Sequence, residues 1–118
     1  MGCLSQRYMD ELTQELPEVD AFFGVDEIHQ VAKYLLHRDA ISAPRSLMTP
    51  GHYAFLKIAE GCNNNCAYCA IPLIRGKQVS LTPDTILKDA GNMAKKGVKE
   101  LIVIAQDTTT YGWDLGKD

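Results

Sequence analysis

Residues 53–77 read YAFLKIAEGCNNNCAYCAIPLIRGK. Three of the four cysteines of the chain lie in this stretch with the spacing C-x3-C-x2-C, at Cys62, Cys66 and Cys69. Three thiols this close in sequence can converge on one centre only if the loop curls around it. The intervening Asn63, Asn64 and Asn65 suit such a loop, because Asn tolerates left-handed and turn conformations better than most residues. The stretch therefore predicts a thiol site in a loop that follows an apolar strand.

Several kinds of site use closely spaced thiols. Iron–sulfur clusters are held by thiolates, normally one per iron, so that three thiolates on a four-iron cluster leave one iron open. Structural zinc requires four ligands, and the fourth would have to come from His52, Cys3 or elsewhere. A redox dithiol leaves the third thiol without a role, and a disulfide framework is not expected in a chain without a secretory signal. The spacing favours the cluster and leaves zinc and redox chemistry open.

The stretch resembles the radical S-adenosylmethionine (SAM) superfamily, through its C-x3-C-x2-C spacing and the aromatic Tyr68 before the last cysteine. Residues 52–77, together with ELIVIAQDTTTYGWD at 100–114 and GCLSQRY at 2–8, are similar to methylthiotransferases. The sequences QDTTTYGWD and KIAEGC favour the branch that acts on protein twelve of the small ribosomal subunit. The tRNA-modifying branch usually has a GQN-like sequence where this chain has Gln106-Asp107-Thr108.

The resemblance implies a reaction and its partners. Cys62, Cys66 and Cys69 would ligate a 4Fe–4S cluster, whose open iron is chelated by the amino and carboxylate groups of SAM. An electron from the cluster cleaves SAM to a 5′-deoxyadenosyl radical, which abstracts hydrogen from the β-carbon of an aspartate and prepares it for insertion of sulfur and a methyl group. The partners would be the ribosomal protein substrate, SAM and an electron donor such as flavodoxin.

The resemblance also assigns cofactor contacts. Tyr68, Ile71 and Pro72 would wall the adenine of SAM, because aromatic and apolar surfaces suit a flat base. Gln106 would bond the methionine moiety, and Arg75 and Lys77 would meet a carboxylate. Simple packing, strand-end polarity and solvated charges remain the alternative explanations of these residues. No residue is assigned as catalytic.

Cys3 matches the last of three cysteines that bind a second, auxiliary 4Fe–4S cluster in the N-terminal domain of the family. The other two ligands are absent from this chain. The chain is therefore expected to be an internal piece of a longer protein, unable to complete methylthiolation alone. The expected organisation is the end of the N-terminal methylthiotransferase domain at 1–40, a linker at 41–52, and the truncated start of the radical SAM barrel at 53–118.

The expected fold class is α/β, with the first βαβ unit of a partial TIM barrel in the second domain. Residues 53–58 and 101–105 are predicted to be parallel strands, the latter covered on both faces because it is continuously apolar. Thr82 is predicted to cap the helix between them, with an apolar stripe at Ile86, Leu87, Ala90, Met93 and Ala94. Because functional sites lie at the carboxyl ends of such strands, the cysteine loop and residues 106–112 are expected to face one pocket.

Residues 1–40 are predicted to be helical with one strand. Ser5 is the expected N-cap of a helix that Pro17 ends. Residues 19–25 (VDAFFGV) are predicted to form a short buried strand, and Asp26 is expected to cap a second helix.

Composition excludes some partners. The formal net charge of −3 and the pI near 5.5 predict no tight binding of DNA. No apolar run approaches 18 residues, so no membrane span is expected. Four cysteines without a signal peptide suggest a reducing, cytoplasmic setting. Two rival functions stay open, a tRNA methylthiotransferase acting on an adenosine beside the anticodon and a zinc-binding interaction module.

Overall fold

The structure, a computed structural model, describes residues 1–37 and 46–116. The chain separates into two compact units, Met1–Pro44 and Arg45–Asp118. Of the predicted linker, residues 41–45 lie outside the described residues, as do residues 38–40 at the end of the predicted first domain. Within the described ranges, no helix is long and apolar enough to cross a membrane.

The described residues of the first unit form two helices, α1 (Cys3–Glu15) and α2 (Ile28–Leu36). The prediction that Ser5 caps α1 is wrong, since Gly2 is the N-cap and Ser5 is buried inside the helix. The carbonyl of Gly2 accepts the first helical hydrogen bond, from the backbone N–H of Gln6 at 2.9 Å, while its own N–H donates to Phe23 O. The helix therefore starts earlier than the hydroxyl signal indicated, and it ends before Pro17 as expected.

Residues 19–25 form no strand, contrary to the prediction. Two backbone N–H groups of this segment donate hydrogen bonds to side chains rather than to a neighbouring strand. The N–H of Val25 donates to Gln6 Oε1 at 3.1 Å, and the N–H of Gly24 donates to Glu27 Oε2 at 2.6 Å. The predicted Asp26 cap is also wrong. Glu27 is the N-cap of α2, without a side-chain bond to the helix, because its carboxylate is engaged by Gly24.

The second unit is a βαβ arrangement with a small additional strand pair. Its elements are β1 (Tyr53–Lys57), β2 (Ala59–Glu60), α3 (Ile71–Arg75), β3 (Val79–Ser80), α4 (Pro83–Lys95) and β4 (Glu100–Ile104). Strands β1 and β4 pair in parallel, in a register that runs from Tyr53↔Glu100 to Lys57↔Ile104, which confirms the predicted parallel neighbours. Strands β2 and β3 form an antiparallel pair that the sequence did not reveal.

Helix α4 packs against β1. Thr82 caps it as predicted, accepting a hydrogen bond from the N–H of Thr85. Met93 is buried, Ile86 and Ala90 pack beside it, and the core is completed by Ala54, Leu56 and Val98. Leu87 and Ala94, predicted to belong to the stripe, are exposed. Each follows a core-facing residue by one position, so at 3.6 residues per turn it lies about 100° around the helix.

Strand β4 is not covered on both faces. The side chains of Leu101 to Ile104 are 36–51% exposed, so the burial predicted from its apolar sequence is wrong. Within the described residues β4 has one strand neighbour, β1, and α4 packs against β1. An apolar run is typical of a strand with layers on both sides, but it does not itself supply those layers.

Candidate iron–sulfur site

The site lies where β1 and β4 end. Because the two strands are parallel, the chain leaves both of them at the same edge of the sheet, as the sequence predicted. Two hydrogen bonds join the segments beyond the strands: Asn64 Nδ2 donates to Asp107 Oδ2 at 2.8 Å, and Gln106 Nε2 donates to Glu60 Oε1 at 3.0 Å. The cysteine loop and the segment after β4 therefore form one surface.

The three thiols of the loop differ in exposure. Cys62 is buried, Cys66 is exposed and Cys69 is partly buried, and all three are free thiols. In the described part of the chain, no three His, Cys, Asp or Glu side chains lie close enough together to hold one metal ion. The structure thus has the predicted donors on one loop, but it does not bring their sulfur atoms together around a centre.

The asparagines shape the loop through their side chains. Among the described non-glycine residues only His37 has a positive φ, so the expected left-handed asparagines are absent. Instead, Asn63 Oδ1 accepts from the N–H of Gln78 at 3.1 Å, and Asn64 reaches Asp107. The backbone N–H of Asn64 also lies 3.4 Å from Cys62 Sγ, as a donor to that sulfur.

Gly61, directly before the first thiol, is required by two features of the backbone. Its φ of +74° is in the left-handed region, which side-chain-bearing residues rarely adopt. A Cβ atom at this position would lie 2.2 Å from the carbonyl oxygen of Lys77. This close approach lets the N–H of Cys62 donate to Gly76 O at 3.2 Å, which pins the start of the loop to the segment after α3.

An open cavity of about 550 Å³ lies beside the first thiol, lined by Cys62, Asn63, Asn65, Pro72 and Lys77. Of the three residues predicted to wall the adenine, Pro72 lines this cavity. Ile71 is half-buried at the start of α3, and the Tyr68 side chain is 94% exposed. The cavity combines one cation, two amides and an apolar ring.

Glu60 connects several elements, and sequence analysis did not single it out. Its carboxylate accepts hydrogen bonds from Lys57, Arg75 and Gln106. Partial burial raises the pKa of Glu60, but the hydrogen bonds and positive charges of Lys57 and Arg75 outweigh burial and hold that pKa below its usual value. The signal in the sequence was a carboxylate two residues before the first cysteine, three residues after a lysine.

The segment after β4 folds over β3. Thr110 Oγ1 donates to Gln78 Oε1, Tyr111 Oη donates to Leu81 O at 2.9 Å, and Asp114 Oδ2 accepts from the N–H of Ser80 at 2.7 Å. Gln78 is only 5% exposed, and its Nε2 has no hydrogen-bond partner within the described residues. These bonds hold residues 106–114 against the same strand pair that anchors Asn63.

The fourth cysteine belongs to the first unit. Cys3 is the first residue of α1, and it is exposed and free.

Comparison with known proteins adds two findings. The sequence-family model of the Radical SAM superfamily matches residues 56–118 of this chain. Proteins named ribosomal protein uS12 methylthiotransferase RimO match almost the whole chain. The protein of that name from Cytophaga hutchinsonii is 51% identical over 118 residues, 98% of this chain. Those from Chloroherpeton thalassium and Aquifex aeolicus are 50% and 48% identical, over 97% and 100% of this chain. The chain spans 27% of the length of each of these curated relatives.

Proposed function

The chain belongs to the radical SAM superfamily, and from that premise we propose that it is part of a methylthiotransferase acting on a protein of the small ribosomal subunit. The reaction would replace a hydrogen on the β-carbon of an aspartate by a methylthio group. One observation carries the proposal: the identity of about 50% to relatives named for this activity extends over both units. A shared superfamily alone would account for similarity in residues 56–118 only.

Cys62, Cys66 and Cys69 would hold a 4Fe–4S cluster. The donor set fits, because the three are free thiols on one loop and such clusters are bound by cysteine thiolates. The buried Cys62, which already accepts an N–H···S hydrogen bond from Asn64, would be the most sheltered of the ligands. When bound, the cluster supplies the electron that cleaves SAM.

The chain's own residues would bind and orient SAM. The ammonium of Lys77 suits the carboxylate of an amino acid, and the ring of Pro72 offers an apolar contact to a base. An ionised carboxylate accepts hydrogen bonds but does not donate them. The bond to Glu60 therefore uses the amide NH₂ of Gln106 and leaves Gln106 Oε1 as an acceptor. Gln106 is therefore suited to a ligand donor such as the amino group of a methionine moiety. Tyr68 and Ile71 complete the proposed cofactor contacts.

The remaining assignments follow the same proposal. Residues 1–40 would be the end of the N-terminal domain, 41–52 the linker and 53–118 the start of the barrel. Cys3 would be one ligand of the auxiliary cluster, with the other ligands supplied from outside this sequence. The electron donor would be a protein such as flavodoxin, and the reaction would take place in the cytoplasm, as a ribosomal substrate implies.

The cluster assignment is tested by iron content. After anaerobic reconstitution we expect about four irons per chain on the loop thiols, lost in Cys62→Ala, Cys66→Ala or Cys69→Ala. Cys3→Ala is the matched control and should leave this iron in place. Stoichiometric zinc without iron uptake, or equal dependence on Cys3, would contradict the assignment.

The substrate is tested by grafting. Residues 1–118 replace the matching region of a uS12 methylthiotransferase and, in parallel, of a tRNA methylthiotransferase, and the products are analysed by mass spectrometry. We expect the first graft to add a methylthio group to an aspartate-bearing uS12 peptide and the second to be inactive on tRNA. Activity of the tRNA graft alone, or inactivity of both grafts when both bind iron, would refute the proposal.

A further inference from the structure

The stretch between the first two thiols is anchored at two points outside the loop. Asn63 is held by the backbone N–H of Gln78, beside β3, and Asn64 is held by the carboxylate of Asp107, after β4. These partners are joined to each other, because Thr110, three residues after Asp107, donates to the side chain of Gln78. The two anchors and this link join Asn63 and Asn64 to the segments beside β3 and after β4 in one hydrogen-bonded network.

Asp107 is itself fixed in position. Its Oδ1 accepts from the hydroxyl of Thr109 at 2.6 Å and from the N–H of Thr109 at 2.9 Å, which leaves Oδ2 for Asn64. The hydrogen bonds of Thr109, followed by that of Asn64, hold the pKa of Asp107 below its usual value. The carboxylate is therefore ionised at neutral pH, and charge-assisted hydrogen bonds to such an acceptor are stronger than neutral ones.

The anchored residue also contacts the first thiol. The side chain of Asn64 donates to Asp107, and its backbone N–H donates to Cys62 Sγ. From these contacts we infer that Asp107 is a positioning residue for the Cys62 thiol, acting through Asn64. Displacing Asn64 would remove the N–H···S bond to Cys62, whose thiol is buried. Hydrogen bonds to cysteine sulfur are among the features that set the potential of a thiolate-bound cluster, so the same contact would tune the site once it is loaded.

The inference uses the thiol assignment of the proposed function, but its test needs no iron. The rates at which iodoacetamide alkylates Cys62 and Cys66 are measured in the iron-free protein by peptide mass spectrometry, and their ratio is compared among variants. Asn64→Asp places two carboxylates against each other, and we expect it to raise the Cys62-to-Cys66 ratio by about threefold or more, the size of coupling seen between contacting groups. Asn65→Asp is the matched control, because it adds the same charge to the same loop at a side chain that does not contact Asp107.

The decisive variant exchanges the two groups. In Asn64→Asp with Asp107→Asn, the new amide at 107 can still accept from Thr109 and now donates to the carboxylate at 64. We expect this double variant to return the ratio to within about twofold of the unmodified chain, as rescue of a directly coupled pair requires. Urea unfolding of each variant separates local opening from loss of fold. An Asn64→Asp effect no larger than that of Asn65→Asp, or a double variant that stays as reactive as Asn64→Asp, would overturn the inference. Normal rescue together with absent iron uptake would count against the proposed function alone.

Discussion

Replacing Gly61 by alanine tests whether the start of the thiol loop is fixed by its backbone. Two contributions to the loss of stability in Gly61→Ala are expected. A left-handed φ is unfavourable for alanine by about 1–2 kcal/mol, and the new Cβ would lie 2.2 Å from Lys77 O and 2.7 Å from Lys77 C. Relieving that collision requires a backbone shift of about 1 Å, which adds about 1–3 kcal/mol as overpacking does. Gly61→Ala should therefore lower the free energy of unfolding by about 2–5 kcal/mol.

Two other glycines separate the contributions. Gly97 has a φ of +89°, and a Cβ added there would have no neighbouring atom within 4 Å, so Gly97→Ala should show the conformational cost alone, about 1–2 kcal/mol. Gly91 lies inside α4, also with open space around it, so Gly91→Ala should stabilise by about 0.5–1 kcal/mol.

Urea unfolding measures the series. Trp113 is the single tryptophan and belongs to the second unit, so its fluorescence reports on the unit that contains all three glycines, and far-UV circular dichroism provides a second probe. If Gly61→Ala lowers the free energy of unfolding no more than Gly97→Ala does, the contact with Lys77 contributes nothing and the expected steric cost is refuted.

Three further outcomes are expected. Met93→Ala should lower the free energy of unfolding by about 2–4 kcal/mol, because Met93 is 2% exposed in the core. Leu87→Ala, at a side chain that is 69% exposed, should lower it by less than about 1 kcal/mol. Equal urea midpoints for the two variants would contradict the assigned helix face. Thr82→Ala should lower stability by about 0.5–1 kcal/mol through loss of the cap, and an unchanged melting temperature would argue against it. Hydrogen bonds from the hydroxyl and then the backbone N–H of Ser80 hold the pKa of Asp114 below its usual value. The stability that these bonds provide is present above the pKa of the unfolded chain and is lost as pH falls through the pKa of the folded chain. The difference in unfolding free energy between the unmodified chain and Asp114→Asn should therefore shrink below about pH 4. A difference that stays constant across that range would refute the contact.

The sequence predicted the main elements of the second unit because their signals are local. The apolar run at 53–58, the Thr-Pro-Asp start of α4 and the apolar run at 101–105 each specify their element within a few residues. The parallel pairing and the meeting of the two loops then follow from the rules of βαβ units. The cysteine spacing likewise identified the candidate thiols without any tertiary information.

The errors come from features that depend on distant partners. Ser5 and Asp26 are good capping residues, but neither begins its helix. Gly2 begins α1, where its N–H donates to Phe23 O, and Glu27 begins α2, where its carboxylate accepts from the N–H of Gly24. The antiparallel pair of β2 and β3 is two residues long on each side, too short for alternation to be visible. The roles of Asn64 and Glu60 rest on partners 43 and 46 residues away, and no local pattern indicates such a contact.

The partner of Asn64 also determines when the loop can receive its full set of anchors. Asp107 and Gln106 follow Cys69 by about 40 residues, and β4 must pair with β1 before either reaches the loop. At a synthesis rate of about 5–20 residues per second, the ribosome makes Asp107 roughly 2–8 s after the last of the three thiols. Throughout that interval neither bond from the segment after β4 can form. For seconds a nascent chain therefore carries the three thiols with the anchors from Gly76 and Gln78 at most, and iron delivered before this segment emerges would meet a loop without the bonds to Asp107 and Gln106.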